Sequence, residues 1–204
     1  MNIAILGETK LAITLGTRYL SRGMDVFYGV TKNFVFTDIE WKIFNKSVDR
    51  MLSYEEAIEN ADVVFICCEN KSLKKICQAL STVEVESKII IDCTNGIFST
   101  GFNCNSSLLK KHAGDQRVFK AFNNLGLDYP GSDPLGVIKE TYYCGEDCPE
   151  KFKVKKLIEL IGFTAIDAGE FESALLLEAF YHLKVKISSL KAEKTDYHFK
   201  LISL

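Results

Sequence analysis

Proline is scarce in this sequence of 204 residues, three in all, and there are only one tryptophan and three histidines. So few prolines leave long stretches open to regular helices and strands. Neither sign of charge dominates: 25 Lys+Arg against 27 Asp+Glu give a formal net charge of −2, which argues against a basic face that holds nucleic acid by neutralising phosphates. Long hydrophobic runs are missing as well. The longest, Val63–Cys68, Ile89–Ile91 and Leu175–Leu177, fall far short of the ~20 residues of a spanning helix. The N-terminus reads as a strand rather than a signal peptide, so no membrane attachment is expected. The seven cysteines, at positions 67, 68, 77, 93, 104, 144 and 148, are odd in number and scattered, unlike a secreted disulfide framework, and a reducing cytoplasm is the expected setting. Cys67 and Cys68 point to opposite faces if they lie on a strand, and buried thiols are expected rather than metal ligands.

What is present is enough apolar residue, 47% against 25% charged, to bury a core without metal or disulfides. A single domain over residues 1–204 is expected. Asn2–Leu6 is a short apolar run ending at Gly7; Lys10–Arg22 then carries Leu11, Ala12, Leu15 and Tyr19 at helical spacing before Gly23, the order strand, tight turn, helix. Asp25–Val30 supplies a second strand of continuous apolar character, as where helices cover both faces of a sheet. Residues 33–45 leave helix and irregular chain open. Lys46–Met51 reads as a short third strand, and Ser53 with Glu56 has the form of a capping box before a helix. Strands follow at Ala61–Cys68, Lys88–Cys93, Val118–Phe122, Thr141–Cys144 and Thr164–Asp167, with helices at Leu73–Leu80, Ser106–His112, Glu150–Ile161 and Glu172–Lys191. This alternation predicts an α/β fold: a Rossmann-like, doubly wound, mostly parallel sheet with a short helical tail over 172–204. Ligands of such sheets sit at the carboxyl ends of the strands, near the switch point.

The turn after the first strand, Gly7-Glu8-Thr9-Lys10-Leu11-Ala12, has the layout G-x-G-x-x-G/A of a dinucleotide fingerprint. Gly7 suits the tight turn and Ala12 the close helix–strand packing. Thr9 departs from the pattern, placing a Cβ where bare backbone normally approaches the pyrophosphate; its hydroxyl is a candidate donor to a phosphate oxygen. Folds specific for NAD carry an Asp or Glu about 20 residues past the fingerprint. The stretch Gly29-Val30-Thr31-Lys32-Asn33 has none. Thr31 and Lys32 are suited to a 2′-phosphate, although Lys32 taken alone is also an ordinary surface lysine.

Several segments, in order, resemble the NADPH-dependent coenzyme F420 reductases and the related oxidoreductase domain of six-transmembrane metalloreductases. They are Met1–Gly7, Ala61–Ile66, Ile91–Gly96, Lys120–Gly126, Cys144–Asp147, Leu157–Phe163 with Asp167–Gly169, and Leu175–Leu183. The resemblance implies that Gly7, Thr9, Lys10 and Leu11 hold the pyrophosphate and Thr31 with Lys32 the 2′-phosphate of NADP. It further implies that Cys68 and Glu69 border the ribose and nicotinamide, and that Thr94, Asn95 and Asn123 line the cleft where two ring systems meet. Glu69-Asn70 stands where the family usually has a proline, and a carboxylate there either repels phosphates or binds a ribose hydroxyl. The family's reaction is direct hydride transfer to a flavin-like electron carrier such as F420 or a flavin. It requires no acid, base or nucleophile, so no catalytic residue is assigned; His112, His182 and His198 are read as structural or solvated.

Two other readings accompany this one: a non-catalytic dinucleotide-binding or regulatory protein with a degraded glycine-rich loop, and an imine reductase, which needs a long helical C-terminal domain. The apolar side of Glu172–Lys191 (Leu175, Leu176, Ala179, Phe180, Leu183, Ile187), with Phe199, Leu201, Ile202 and Leu204 beyond it, either packs on the sheet or forms a homodimer seam.

Overall fold

Strands apolar on both faces need helices on both faces. In the computed structural model, which describes residues 1–32, 34, 50–97, 104–114, 117–190, 197–199 and 201–202, they have them. The strands are β1 (Asn2–Leu6), β2 (Asp25–Gly29), β3 (Met51–Leu52), β4 (Val63–Ile66), β5 (Ile89–Asp92), β6 (Val118–Ala121), β7 (Glu140–Cys144) and β8 (Thr164–Asp167). They form one sheet in the order β3-β2-β1-β4-β5-β6-β7-β8. Neighbours run parallel except β6 and β7, which pair antiparallel with Lys120 opposite Cys144. The helices are α1 (Lys10–Ser21), α2 (Tyr54–Glu59), α3 (Asn70–Thr82), α4 (Asn105–Ala113), α5 (Pro149–Leu160) and α6 (Ser173–Ser189).

Alternate strand residues point to opposite layers. Ile3, Ile5, Val63, Phe65, Ile89 and Ile91 pack with Leu11 and Leu15 of α1 and with Val154 and Ile158 of α5. Ala4, Leu6, Val64, Ile66 and Ile90 face α2, α3 and α4, meeting Ala57, Ile58, Leu73, Ile76 and Leu109. Each such side chain, fully buried, stabilises the fold by roughly 1.5–3 kcal/mol relative to exposure. The Rossmann-like expectation holds. So does the capping box, with Glu56 N donating to Ser53 Oγ at 3.2 Å and Ser53 N donating to Glu56 Oε2 at 3.0 Å. Of the strand expected over Lys46–Met51, residues 46–49 lie outside the described residues, as do 33 and 35–45; the described strand there is β3, Met51–Leu52.

A further observation concerns α6, whose apolar side the sequence leaves open between the sheet and a homodimer seam. It turns Ala174, Leu177, Glu178 and Lys184 inward, while Leu175, Leu176 and Leu183 stay 41%, 66% and 52% exposed. Those leucines therefore do not pack on the sheet. Glu178 is inward because a cation awaits it. Lys120, wholly buried on β6, lies 2.6 Å from Asp92 Oδ2 and 2.6 Å from Glu178 Oε1, and Asp92 is its register partner on β5.

The remaining lone pairs of both carboxylates are also used. Asp92 accepts from Thr94 N and Oγ1 at 2.8 and 2.7 Å and from Ser106 Oγ at 2.5 Å. Glu178 accepts from Gly96 N at 2.7 Å, from Cys104 Sγ at 3.1 Å and from Asn105 N, the first residue of α4, at 3.2 Å. One ammonium between two carboxylates leaves a net negative charge, which the N-terminus of α4 and these donors stabilise. Burial alone pushes the Lys120 pKa down, but Asp92 and Glu178 more than offset it and hold the ammonium above the usual lysine range.

Lys120 raised above its unfolded value contributes stability that is fully present below the unfolded pKa, about 10.5, and is lost only as pH rises through the folded pKa. Lys120→Met should therefore lower unfolding free energy at pH 7 by about 3–5 kcal/mol, since two buried carboxylates lose their cation. Urea unfolding at pH 7 checks this; an unchanged midpoint would contradict it.

Candidate functional site

The strand order reverses between β1 and β4, and the first turn sits at that reversal. Gly7 has φ +132°, and a Cβ there would lie 2.6 Å from the Cys67 carbonyl carbon, so only glycine lets β1 end against β4. Gly7 N donates to Gly29 O at 3.1 Å, which fastens the turn to β2. Thr9 caps α1: its hydroxyl accepts from Ala12 N at 3.2 Å and donates to Cys67 O at 2.8 Å. A hydroxyl has one proton to donate. In this structure that proton ties α1 to the chain just after β4.

Leu11 is likewise engaged through its backbone, donating N–H to Leu127 O at 3.0 Å. In the first turn of α1 the Lys10 amide is the one left without a protein acceptor among the described residues, and the Lys10 side chain is exposed. A helix N-terminus with a free amide suits an anion.

The end of β2 differs from the sequence expectation in a way that bears on cofactor choice. It is not free of acid. Glu8 reaches across from the first turn, and its Oε1 accepts from Thr31 N at 2.9 Å and from Thr31 Oγ1 at 2.7 Å. Lys32 is exposed beside a cavity of about 390 Å³ lined by Val30, Thr31, Phe34, Ser53 and Glu56. No residue between 29 and 33 signals this carboxylate. The contact spans 23 positions of sequence and depends on β1 and β2 being parallel neighbours.

Beyond β4 the side chain of Cys68 is 1% exposed and packs into the core with Leu6, Ile66 and Leu73. Burial pushes its thiol pKa far up, so only its backbone borders the cleft. Glu69 is exposed and pairs with Lys71 at 2.6 Å.

Thr94, fully buried, works as a bracket. Its hydroxyl donates to Asp92, and its carbonyl accepts from Lys120 Nζ and Asn123 Nδ2, each at 2.9 Å. Asn123 reaches it because Phe122 adopts a left-handed φ of +66° and turns the chain after β6. That conformation is rare for a bulky residue; here the Phe122 ring is clasped between Phe65 and Phe163, at 6.3 and 6.0 Å. Asn123 Nδ2 also donates to Asn95 Oδ1 at 2.9 Å. The other ends of this amide pair, Asn95 Nδ2 and Asn123 Oδ1, are buried without a partner among the described residues. Buried polar atoms are nearly always satisfied, so these two atoms are exceptions.

The expected site residues therefore fall into groups. Gly7, Thr9, Lys10 and Leu11 form the turn at the switch point, Thr31 and Lys32 the end of β2, and Thr94, Asn95 and Asn123 the ends of β5 and β6. Glu8, Lys120 and Glu178 were missed. Among the described residues no group of three or more His, Cys, Asp or Glu is placed to hold a metal, and no helix is long and apolar enough to cross a membrane.

Residues 2–96 match the family model of coenzyme F420-dependent NADP oxidoreductases. The metalloreductase STEAP3 of Rattus norvegicus is 25% identical over 180 residues, 87% of this chain and 36% of the relative, so the chain spans about a third of that protein's length. Among solved structures, a protein named as an F420-dependent NADP-reductase from Arthrobacter sp. FB24 superposes over 100% of both chains with a TM-score of 0.82 at 17% identity. A Streptomyces aurantiacus imine reductase matches with a TM-score of 0.64 and 13% identity, over 92% of this chain and 61% of its own. These structural likenesses show the fold. The match to coenzyme F420-dependent NADP oxidoreductases is thus a likeness that covers residues 2–96, the part of the chain that holds β1 to β5.

Proposed function

We propose that this protein binds NADP(H) across the carboxyl ends of β1, β2, β4 and β5 and passes a hydride between its nicotinamide and a flavin-like carrier, F420 or a flavin. The observation that carries the reading is the Gly7 turn and the α1 N-terminus at the point where the strand order reverses, the site at which such sheets take dinucleotides. The Lys10 amide would receive the pyrophosphate, and Lys32 would face a 2′-phosphate. A carboxamide offers one acceptor and one donor, the complement of Asn95 Nδ2 and Asn123 Oδ1.

Bound there, the cofactor supplies the hydride and the protein supplies pose. Asn95 and Asn123 are fixed by Thr94, which is itself held by Lys120 and Asp92, so the pair orients a ring without reorganising. Holding two rings in a near-attack arrangement is worth roughly 7–11 kcal/mol of barrier. The space for a second ring lies next door. A cavity of about 360 Å³, walled by Ile138, Phe180, Tyr181 and Phe199 with Lys184, opens beside Asn124. Its aromatic walls exclude water and its lysine suits an anionic ring system.

The non-catalytic reading draws on the Leu11 amide and the Thr9 hydroxyl being committed to the fold. In a stopped-flow screen, NADPH oxidation by F420 or a flavin supports the oxidoreductase; stoichiometric binding with no oxidation across that panel supports the binding protein. Lys32→Ala should weaken NADPH by about tenfold, some 1.4 kcal/mol, and leave NADH unchanged in fluorescence titrations. Equally weak binding of both cofactors by the unmodified chain would contradict the NADP assignment.

The exposed Leu175, Leu176 and Leu183 face supports a second copy of the chain as its cover, in a cytoplasmic homodimer. Light scattering across concentrations should give twice the 23.0 kDa of one chain, and Leu176→Glu should return the mass to that of one. A monomer at every concentration would contradict it.

A further inference from the structure

The Glu8 carboxylate stands at the end of β2 as a substitute for an acid that this strand lacks. Its Oε1 holds both donors of Thr31, the N–H at 2.9 Å and the hydroxyl at 2.7 Å, while Oε2 has no hydrogen-bond partner among the described residues. The residue is half-buried beside a half-buried Thr31, with Lys32 exposed. Across the adjoining cavity stands a second carboxylate, Glu56, fixed in the α2 capping box. Among the described residues that line the cavity the charged ones are Lys32 and Glu56, with Glu8 beyond Thr31 and Lys71 within electrostatic reach of Glu8.

We infer that Glu8 reads the ribose 2′ position of the cofactor, accepting a hydrogen bond from a free 2′-hydroxyl and opposing a 2′-phosphate. A carboxylate here does what the acid at the end of the second strand does in NAD-specific sheets, but it arrives from the first turn rather than from the strand. A phosphate monoester carries about −1.5 to −2 charges at pH 7. It would meet like charge, and it would find the Thr31 donors already taken. Lys32 is the one cation lining the pocket among the described residues, so selectivity between NADP(H) and NAD(H) is a contest between Lys32 and Glu8. This inference rests on the proposal that a nicotinamide dinucleotide binds at these strand ends.

Glu8→Gln keeps the shape and the oxygen that accepts from Thr31 and removes the charge. Fluorescence titration of NADPH and NADH against both proteins, with 2′-phospho-ADP and ADP as probes of the adenosine end alone, provides the test. The expected result is at least a tenfold shift of the NADPH:NADH affinity ratio toward NADPH in the variant, with the same shift between 2′-phospho-ADP and ADP. Equal changes for phosphorylated and unphosphorylated ligands, or no change, would overturn the role of Glu8 and leave the cofactor reading standing. Failure of both proteins to bind any of the four ligands would overturn both.

Discussion

A single buried ammonium joins three parts of the sheet's ligand end. Lys120 closes on Asp92 from the neighbouring strand and on Glu178 from the last helix, all three without solvent exposure. Charges taken out of water are tolerated only when geometry and hydrogen bonds are nearly complete, and here every carboxylate oxygen is engaged. The consequence is positional. Asp92 fixes Thr94, Glu178 fixes Gly96, and Lys120 with Thr94 sets where Asn123 lies. The two asparagines with orphaned amide atoms rest on this bracket. The α6 helix is rotated to serve it, burying a glutamate and a lysine while leaving leucines in solvent.

At the other end of the site the chain has committed to its own fold much of what a phosphate would use. The Thr9 proton goes to Cys67 O, the Leu11 amide to Leu127 O, and the Thr31 donors to Glu8. The first two stiffen the turn around Gly7. The third is a charge at the edge of the proposed adenosine pocket and so bears on ligand choice rather than on stability alone. The likeness to solved structures shows the scaffold, and the departures within the first turn bear on the proposed cofactor.

The layered sheet was legible because its strands are apolar on both faces and its helices carry caps and periodicity: Gly7, Gly23, and Ser53 with Glu56 each fixed a boundary. The third strand was legible in its presence but not in its bounds, because its two described residues, Met51–Leu52, make too short a signal to fix them. Glu8 was invisible for a different reason. Its partner lies 23 residues away, and nothing local distinguishes it from a solvated acid in a loop. Lys120 lay in a segment singled out for its family resemblance, yet a lysine in a strand reads as a surface residue until Asp92 and Glu178 are seen to meet it. The inward turn of Glu178 on α6 is hidden for the same reason, since apolar periodicity does not reveal that a buried cation draws a carboxylate inward.

The central claim is that the dinucleotide lies across the β1–β4 switch point, on the turn after Gly7 and against Asn95 and Asn123. Hydrogen exchange of the backbone amides, with and without saturating NADPH, addresses it directly. The account predicts slowed exchange in 8–11, 31–32, 94–96 and 123–125, with the outer face of α6 unchanged. Protection confined to the cavity beside Tyr181 and Lys184, with the 8–11 turn unaffected, would contradict it.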